Sequence, residues 1–352
     1  MTPLTDLLVR RIAAAGPMPL SDYMTDCLLH PEHGYYSTRD PLGKAGDFIT
    51  APEVSQIFGE LIGLALAQAW LDQGAPAPFT LAELGPGRGT LMADALRATK
   101  GVPGFHEAAR VTLVEASAPL RALQAERLPQ ARHIDSLDDL PEAPLFLVAN
   151  EFFDALPIRQ FQRDADGWRE VLVGLDGEAL CLGLSDPAPL AALANRLADT
   201  TPGDIVETCP ALPGIAARIG GRIARHAGAA LIVDYGDWRA LGDTFQAVQD
   251  HRPADPLAAP GRADLTAHVD FEALAAAAAP AAHTRLTPQG VFLERLGIAD
   301  RARALARGLD GATLDAHIAG HRRLTHPDEM GHLFKVMGLF PEGSPPPPGL
   351  ET

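Results

Sequence analysis

An α/β fold with a mainly parallel sheet, covered by helices on both faces, is predicted by three features of this 352-residue sequence. A short apolar run, Phe79 to Leu84, meets a glycine-rich turn, and a helical pattern follows at once from Thr90 to Lys100. Strand-length and helix-length segments then alternate: Arg110–Glu115, Ala118–Leu128, Ala131–Asp135 and Leu145–Asn150. A further apolar run, Ala229 to Gly236, carries an acid, Asp234, near its end. In such sheets ligands gather beyond the carboxyl ends of the strands.

Composition narrows the partners. Hydrophobic residues make up 47% and charged residues 21%, the balance of a folded globular chain. A formal net charge of −16 argues against a nucleic-acid binder and suits a cationic substrate. Cys27, Cys181 and Cys209 are scattered, which reads as reduced thiols. No apolar stretch reaches the roughly 18–20 residues of a membrane span. Met1 to Arg11 lacks a signal-peptide pattern, so a cytoplasmic location is expected.

The elements follow in order. Helices are predicted over Leu4–Ala15 and Leu20–Leu29, the second capped by Ser21. A dense loop follows, His30 to Tyr36 and on to Glu53, rich in aromatics, acids and glycines, and loops of that content are more often functional than connective. His30 and His33 lack a third ligand at a recognisable spacing, so no metal is expected. Val54–Leu71 is an amphipathic helix leading into the strand at Phe79. Between Ile158 and Gly183 the period changes to two, with turn signals at Asp164–Gly167 and Asp176–Gly177, which predicts inserted hairpins. Helices at Pro189–Asp199 and Ile215–His226, a strand near Asp243–Gln249, helices from Val269, Gly290 and Arg301, and a strand at His332–Leu339 complete the series. The expected organisation is a helical lid or substrate segment over 1–78 and a core over 79–340 with an insertion at about 158–226. A flexible proline-rich tail over 341–352 ends the chain.

The chemistry concentrates at the strand ends. Gly85-Pro86-Gly87-Arg88-Gly89 is neither a phosphate-binding P-loop nor the dinucleotide Gly-x-Gly-x-x-Gly. Glu83 precedes it by two residues; an acid there would repel a pyrophosphate but suits the cationic S-adenosylmethionine (SAM). Glu115, ending the second strand, can accept both hydroxyls of a ribose, a role that NAD and SAM sites share. A dehydrogenase therefore stays open at this point. Asp135 and Ser136 end the third strand, where an adenine edge would be read. Asn150-Glu151-Phe152-Phe153-Asp154-Ala155-Leu156-Pro157 follows the fourth strand, and its two carboxylates and amide could hold a nucleophile that loses a proton. Its phenylalanines would exclude water and face a cation. The bland alternative is a helix start capped by Asp154.

Several blocks resemble the MidA-type SAM-dependent methyltransferases: Gly46 to Glu53, Leu84 to Leu91, Asn150 to Pro157, Val233 to Gly236 and Ala263 to Phe271. The similarity also reaches Gln289–Gly297 and Leu333–Val336, and it covers roughly residues 17 to 340. It implies a class I, Rossmann-like methyltransferase sheet with SAM as cofactor, and it carries the SAM-binding pattern onto Glu83, Gly85, Gly87, Gly89 and Glu115. Asp135, Ser136 and Asn150 join that set, and Asp47, Thr50 and Glu53 lie in a block expected to close over the cofactor, hinged at Gly43 and Gly46. The family's mitochondrial members are complex I assembly factors that dimethylate, symmetrically, an arginine of the 49-kDa subunit. That resemblance implies a protein substrate, with the corresponding subunit as the candidate here. The sequence shows no mitochondrial presequence, which suggests a bacterial relative.

The leading expectation is therefore methyl transfer to a protein guanidinium, with Glu151 and Asp154 holding the arginine and Asp47 or Glu53 assisting. Two others stand beside it: a small-molecule acceptor, and a SAM-binding assembly chaperone without turnover.

Overall fold

The computed structural model describes residues 2–38, 50–165 and 167–352. These form two compact units. One gathers the described residues of Met1–Phe48, Asp154–Leu212 and Arg239–Asp270; the other gathers those of Ile49–Phe153, Pro213–Trp238 and Phe271–Thr352.

The second unit holds the predicted α/β layers. Its sheet runs in the order Ala282–His283, Phe334–Phe340, Gly228–Asp237, Leu145–Asn150, Phe79–Leu84, Ala109–Val114, Arg132–Ile134. The five strands from Gly228–Asp237 to Arg132–Ile134 are parallel, and Phe334–Phe340 joins them antiparallel. Phe79–Leu84 and Leu145–Asn150 are buried at every residue, which is why they read as mainly apolar segments rather than as alternation. Register brings the strand ends level: Leu84 lies opposite Val114 and Ala149, and Asn150 opposite Val233. Residues following these positions therefore leave the sheet at one edge.

The helix Gln56–Asp72 covers this sheet with Phe58, Ile62, Leu66 and Trp70 in its core, and Trp70 packs edge-on to Phe105, which in turn meets Phe79. It lies close to the helix Thr90–Ala98 because Gly63 has no side chain; a Cβ there would stand 2.5 Å from the Ala95 Cα. Between these helices the buried Glu60 accepts from Arg97 Nη1 at 2.5 Å and from Arg301 Nε at 2.6 Å.

The first unit is built on antiparallel strands. Its sheet orders Met18–Pro19, Gly167–Asp176, Arg159–Asp164 and Ile205–Thr208, with Ala179–Leu184 also on Gly167–Asp176. A small sheet of Arg252–Ala254, Gln246–Gln249 and Asp264–Thr266 adds to it. The helices Pro3–Ala15 and Leu20–Leu29 bury Leu4, Leu8, Tyr23 and Met24 in a core with Tyr35, Val173 and Leu265.

Several boundaries differ from the sequence reading. The 1–78 segment does not stay together: its helix Gln56–Asp72 belongs with the sheet unit, because its apolar surface needs the sheet to bury it. Extended backbone at Ser55 separates the short turn Ala51–Val54 from that helix, and the Ser55 hydroxyl accepts from the Ile57 N–H at 3.3 Å. Pro19, not Ser21, occupies the cap position of Leu20–Leu29. The predicted helix at 189–199 is a 3₁₀ segment, Ala191–Leu197, and the helix Gly311–Thr325 was not predicted. From Pro213 onward, the helix Leu212–His226 belongs to the sheet unit rather than to an insertion. The proline-rich end packs down: Leu350 is buried, and Glu351 pairs with Arg295 while its carbonyl accepts from the Arg285 N–H. Among the described residues no helix is long and apolar enough to cross a membrane.

Candidate active site

The glycine turn at the end of Phe79–Leu84 has backbone that only glycine adopts readily. Gly85, Gly87 and Gly89 take φ of 59°, 54° and 73°. A Cβ on Gly85 would also stand 3.0 Å from the Phe152 ring. Gly89 begins the helix Thr90–Ala98 without a side-chain cap, so the turn delivers a helix start to the sheet edge.

Glu83 is buried on the strand that leads into this turn. Burial pushes its carboxyl well above the usual range, the Met92 N–H opposes that, and neighbouring Glu115 adds to it. Its Oε2 has no hydrogen-bond partner among the described residues. Glu115, just past Ala109–Val114, is also buried, and burial raises its pKa against the opposing Ser117 N–H, Gln124 and Arg121. Its Oε1 accepts from the Ser117 N–H at 2.8 Å and its Oε2 from Gln124 Nε2 at 3.2 Å.

At the third strand end, Asp135 is exposed and pairs with Arg121, whose Nε donates to the Glu115 carbonyl at 2.6 Å. The Ser136 hydroxyl accepts from the Asp138 N–H at 3.2 Å and caps the turn Leu137–Asp139. These two residues thus have structural bonds of their own beside any role with an adenine.

The fourth strand end is the most constrained. Glu151 takes a φ of 52°, a conformation costly for a side-chain-bearing residue. Its Oε1 accepts from the Ala51 N–H at 3.1 Å and from Asn150 Nδ2 at 3.0 Å, while Asn150 Oδ1 has no partner among the described residues. Asp234, fully buried on the adjacent strand, holds the turn: its Oδ2 accepts from the N–H groups of Phe152 and Phe153 at 3.2 and 2.9 Å. The two phenylalanine rings meet edge to face at 5.2 Å. Glu53 accepts a hydrogen bond from the Thr90 hydroxyl, which ties the Ala51–Val54 turn to the helix after the glycines.

The structure places Glu83, Gly85, Gly87, Gly89, Glu115, Asp135, Ser136, Asn150, Glu151 and Glu53 in one unit. Asp47 and the hinge glycines Gly43 and Gly46 lie outside the described residues. Asp154 belongs to the other unit, where its carbonyl accepts from the Ala267 N–H at 3.0 Å, and the strand Arg159–Asp164 follows it rather than a helix to cap. Tyr35 and Tyr36 of the aromatic loop also belong there. Tyr35 is buried in that unit's core, and the Tyr36 hydroxyl donates to Asp264 Oδ1 at 2.7 Å. Two organising residues went unassigned: Asp234, whose strand-end position was visible, and Gln124, a polar residue in line with Leu120 and Leu128 on a buried helix face. Among the described residues no group of three or more His, Cys, Asp or Glu could hold a metal.

The chain matches, over residues 61–289, the family model of S-adenosyl-L-methionine-dependent methyltransferases. It is 37% identical to "Protein arginine methyltransferase NDUFAF7, mitochondrial" of Xenopus laevis, over 96% of this chain and 84% of that protein. The protein of the same name from Homo sapiens is also 37% identical, over 97% and 84%. The chain belongs to this methyltransferase family. A crystal structure of a protein from Burkholderia thailandensis, bound to S-adenosyl-homocysteine, superposes on this chain with a TM-score of 0.83. That protein is 31% identical, and the match covers 98% of this chain and 93% of that one. SAM is accordingly the cofactor of this methyltransferase, as expected from the acid before the glycines. One expectation is corrected: the relatives are named mitochondrial proteins, which overturns a cytoplasmic location drawn from the N-terminal residues.

Proposed function

We propose that this methyltransferase transfers the methyl group of SAM to a guanidinium nitrogen of a protein arginine. The observation that carries the reading is the identity of 36–37% to proteins named protein arginine methyltransferases, spread over 96–97% of the chain. The chemistry of the sheet edge agrees with it. Two buried oxygens without partners among the described residues, Glu83 Oε2 and Asn150 Oδ1, are acceptors suited to a cationic ligand. The glycine turn lets backbone approach that ligand closely, and Glu115 accepts its ribose hydroxyls. Bound SAM supplies an electrophilic methyl group on a sulfonium.

The chain's own residues then position and desolvate the acceptor. Glu151, fixed by the Ala51 N–H, carries the charge that attracts a guanidinium and receives the proton its nitrogen releases. Asp234 sets the direction of that turn through the Phe152 and Phe153 amides, and the phenylalanine rings keep water away. On the sequence pattern alone, Asp154 and Asp47 are proposed as further acids acting on the acceptor. The family resemblance extends the proposal to symmetric dimethylation, with the 49-kDa-type subunit of respiratory complex I as the protein methylated during assembly.

Isotope-labelled SAM, mixed with the purified protein and a lysate, tests this reading. Label on a protein, located by mass spectrometry on arginine, is expected. Label confined to small molecules would transfer the reading to a small-molecule acceptor, and SAM binding without transfer would reduce it to a chaperone.

A further inference from the structure

We infer that Gln124 is a positioning residue of the cofactor site: one side-chain amide that locks the Glu115 carboxylate to the glycine turn. The inference rests on the reading of that turn and Glu115 as the place where SAM binds.

Gln124 is fully buried on the helix Ala118–Arg127, among positions that otherwise suit leucine. Burying a glutamine is costly unless its hydrogens are used. Both are used here, and on two different parts of the site. Nε2 donates to the Gly87 carbonyl at 2.7 Å and to Glu115 Oε2 at 3.2 Å. The amide cannot be turned over, because its oxygen would then face two acceptors. The arrangement leaves Gln124 Oε1 without a partner among the described residues, a cost retained for the sake of the two donors.

The consequences are geometric. Holding the Gly87 carbonyl toward the helix turns the Arg88 N–H of the same peptide plane the opposite way. Holding Glu115 Oε2 while the Ser117 N–H holds Oε1 leaves the carboxylate one orientation. Turn and ribose acid therefore become a single rigid unit before SAM arrives, which lowers the cost of ordering them on binding.

The donor also favours the ionised form of Glu115 against the burial that raises its pKa. The charged groups around it are Glu83 from the neighbouring strand and Arg121 from the helix, the latter shared with exposed Asp135 and near His133. Removing the Gln124 donor should let Glu115 take up a proton at higher pH. SAM affinity would then begin to fall at a higher pH than in the wild type.

Calorimetric SAM titration across pH, on wild type, Gln124→Met, Glu115→Gln and the double variant, tests the inference. Gln124→Met should lose roughly ten-fold in affinity at neutral pH, the worth of a bond to a charged group, and its acid limb should move upward. In the Glu115→Gln background Gln124→Met should no longer move the acid limb and should cost much less. A Gln124→Met profile that overlays the wild type, or an equal loss in both backgrounds, would overturn the inference. Wild-type affinity in Glu115→Gln alone would instead reject the ribose assignment beneath it. If Gln124→Met does not fold by circular dichroism, Gln124→Leu, which also removes the donor, is read by the same criteria.

Discussion

Gly85→Val is expected to lower SAM affinity by about a hundred-fold or more, the largest binding effect among single substitutions in the glycine turn. Two independent costs combine. A β-branched residue is strained at a φ of 59°, and its Cβ would press on the Phe152 ring at 3.0 Å. The chain can relieve both only by moving the turn, which carries Gly87 and the start of Thr90–Ala98 with it. Far-ultraviolet circular dichroism and thermal melting should show a folded protein, because the core around Trp70, Phe79 and Phe105 does not include the turn. A folded variant binding SAM within a few-fold of wild type would remove the turn from the cofactor site.

Glu151→Gln is expected to reduce turnover by about a hundred-fold or more while SAM affinity stays within a few-fold. The substitution preserves size, and the amide oxygen can still accept from the Ala51 N–H that holds Glu151 at 3.1 Å. What it removes is the charge, and with it both the proposed attraction for a guanidinium and the proposed acceptor for its proton. The positive φ at Glu151 fits this role, since backbone strain of that kind persists where surrounding bonds impose it. Those bonds come from Asp234, which fixes the next two amides. Methyl transfer at the wild-type rate by the variant would show that Glu151 neither holds the acceptor nor takes its proton. A parallel loss of SAM affinity would mean that it serves the cofactor instead.

The parts of this architecture that were legible in the sequence share a physical cause. Phe79–Leu84 and Leu145–Asn150 are buried on both faces, so nothing but apolar side chains fits along most of their length, and position at a strand's end marks Glu115 and Glu151. The glycines at 85, 87 and 89 stand out because their backbone conformation favours glycine. Gln124 was illegible because its role depends on a helix face packing over a turn 37 residues earlier. Asp234 could be placed at a strand end, but its bonds to the amides at 152 and 153 exist only through the parallel register of Val233 with Asn150. The division of residues 1–78 was hidden for a similar reason. The helix Gln56–Asp72 is apolar almost all round, and its sequence does not say which layer will bury it. Proline content suggested a loose end at 341–352, yet Leu350 and Glu351 find partners that only the folded chain supplies.

The most direct test of the central claim, that SAM binds at the carboxyl edge of this sheet with its ribose on Glu115, is a calorimetric titration of SAM into wild type and Glu115→Ala. The account predicts one site in the wild type and a loss of about 1.5–3 kcal/mol, roughly ten-fold or more in affinity, in the folded variant. Unchanged SAM affinity in a folded Glu115→Ala would contradict it.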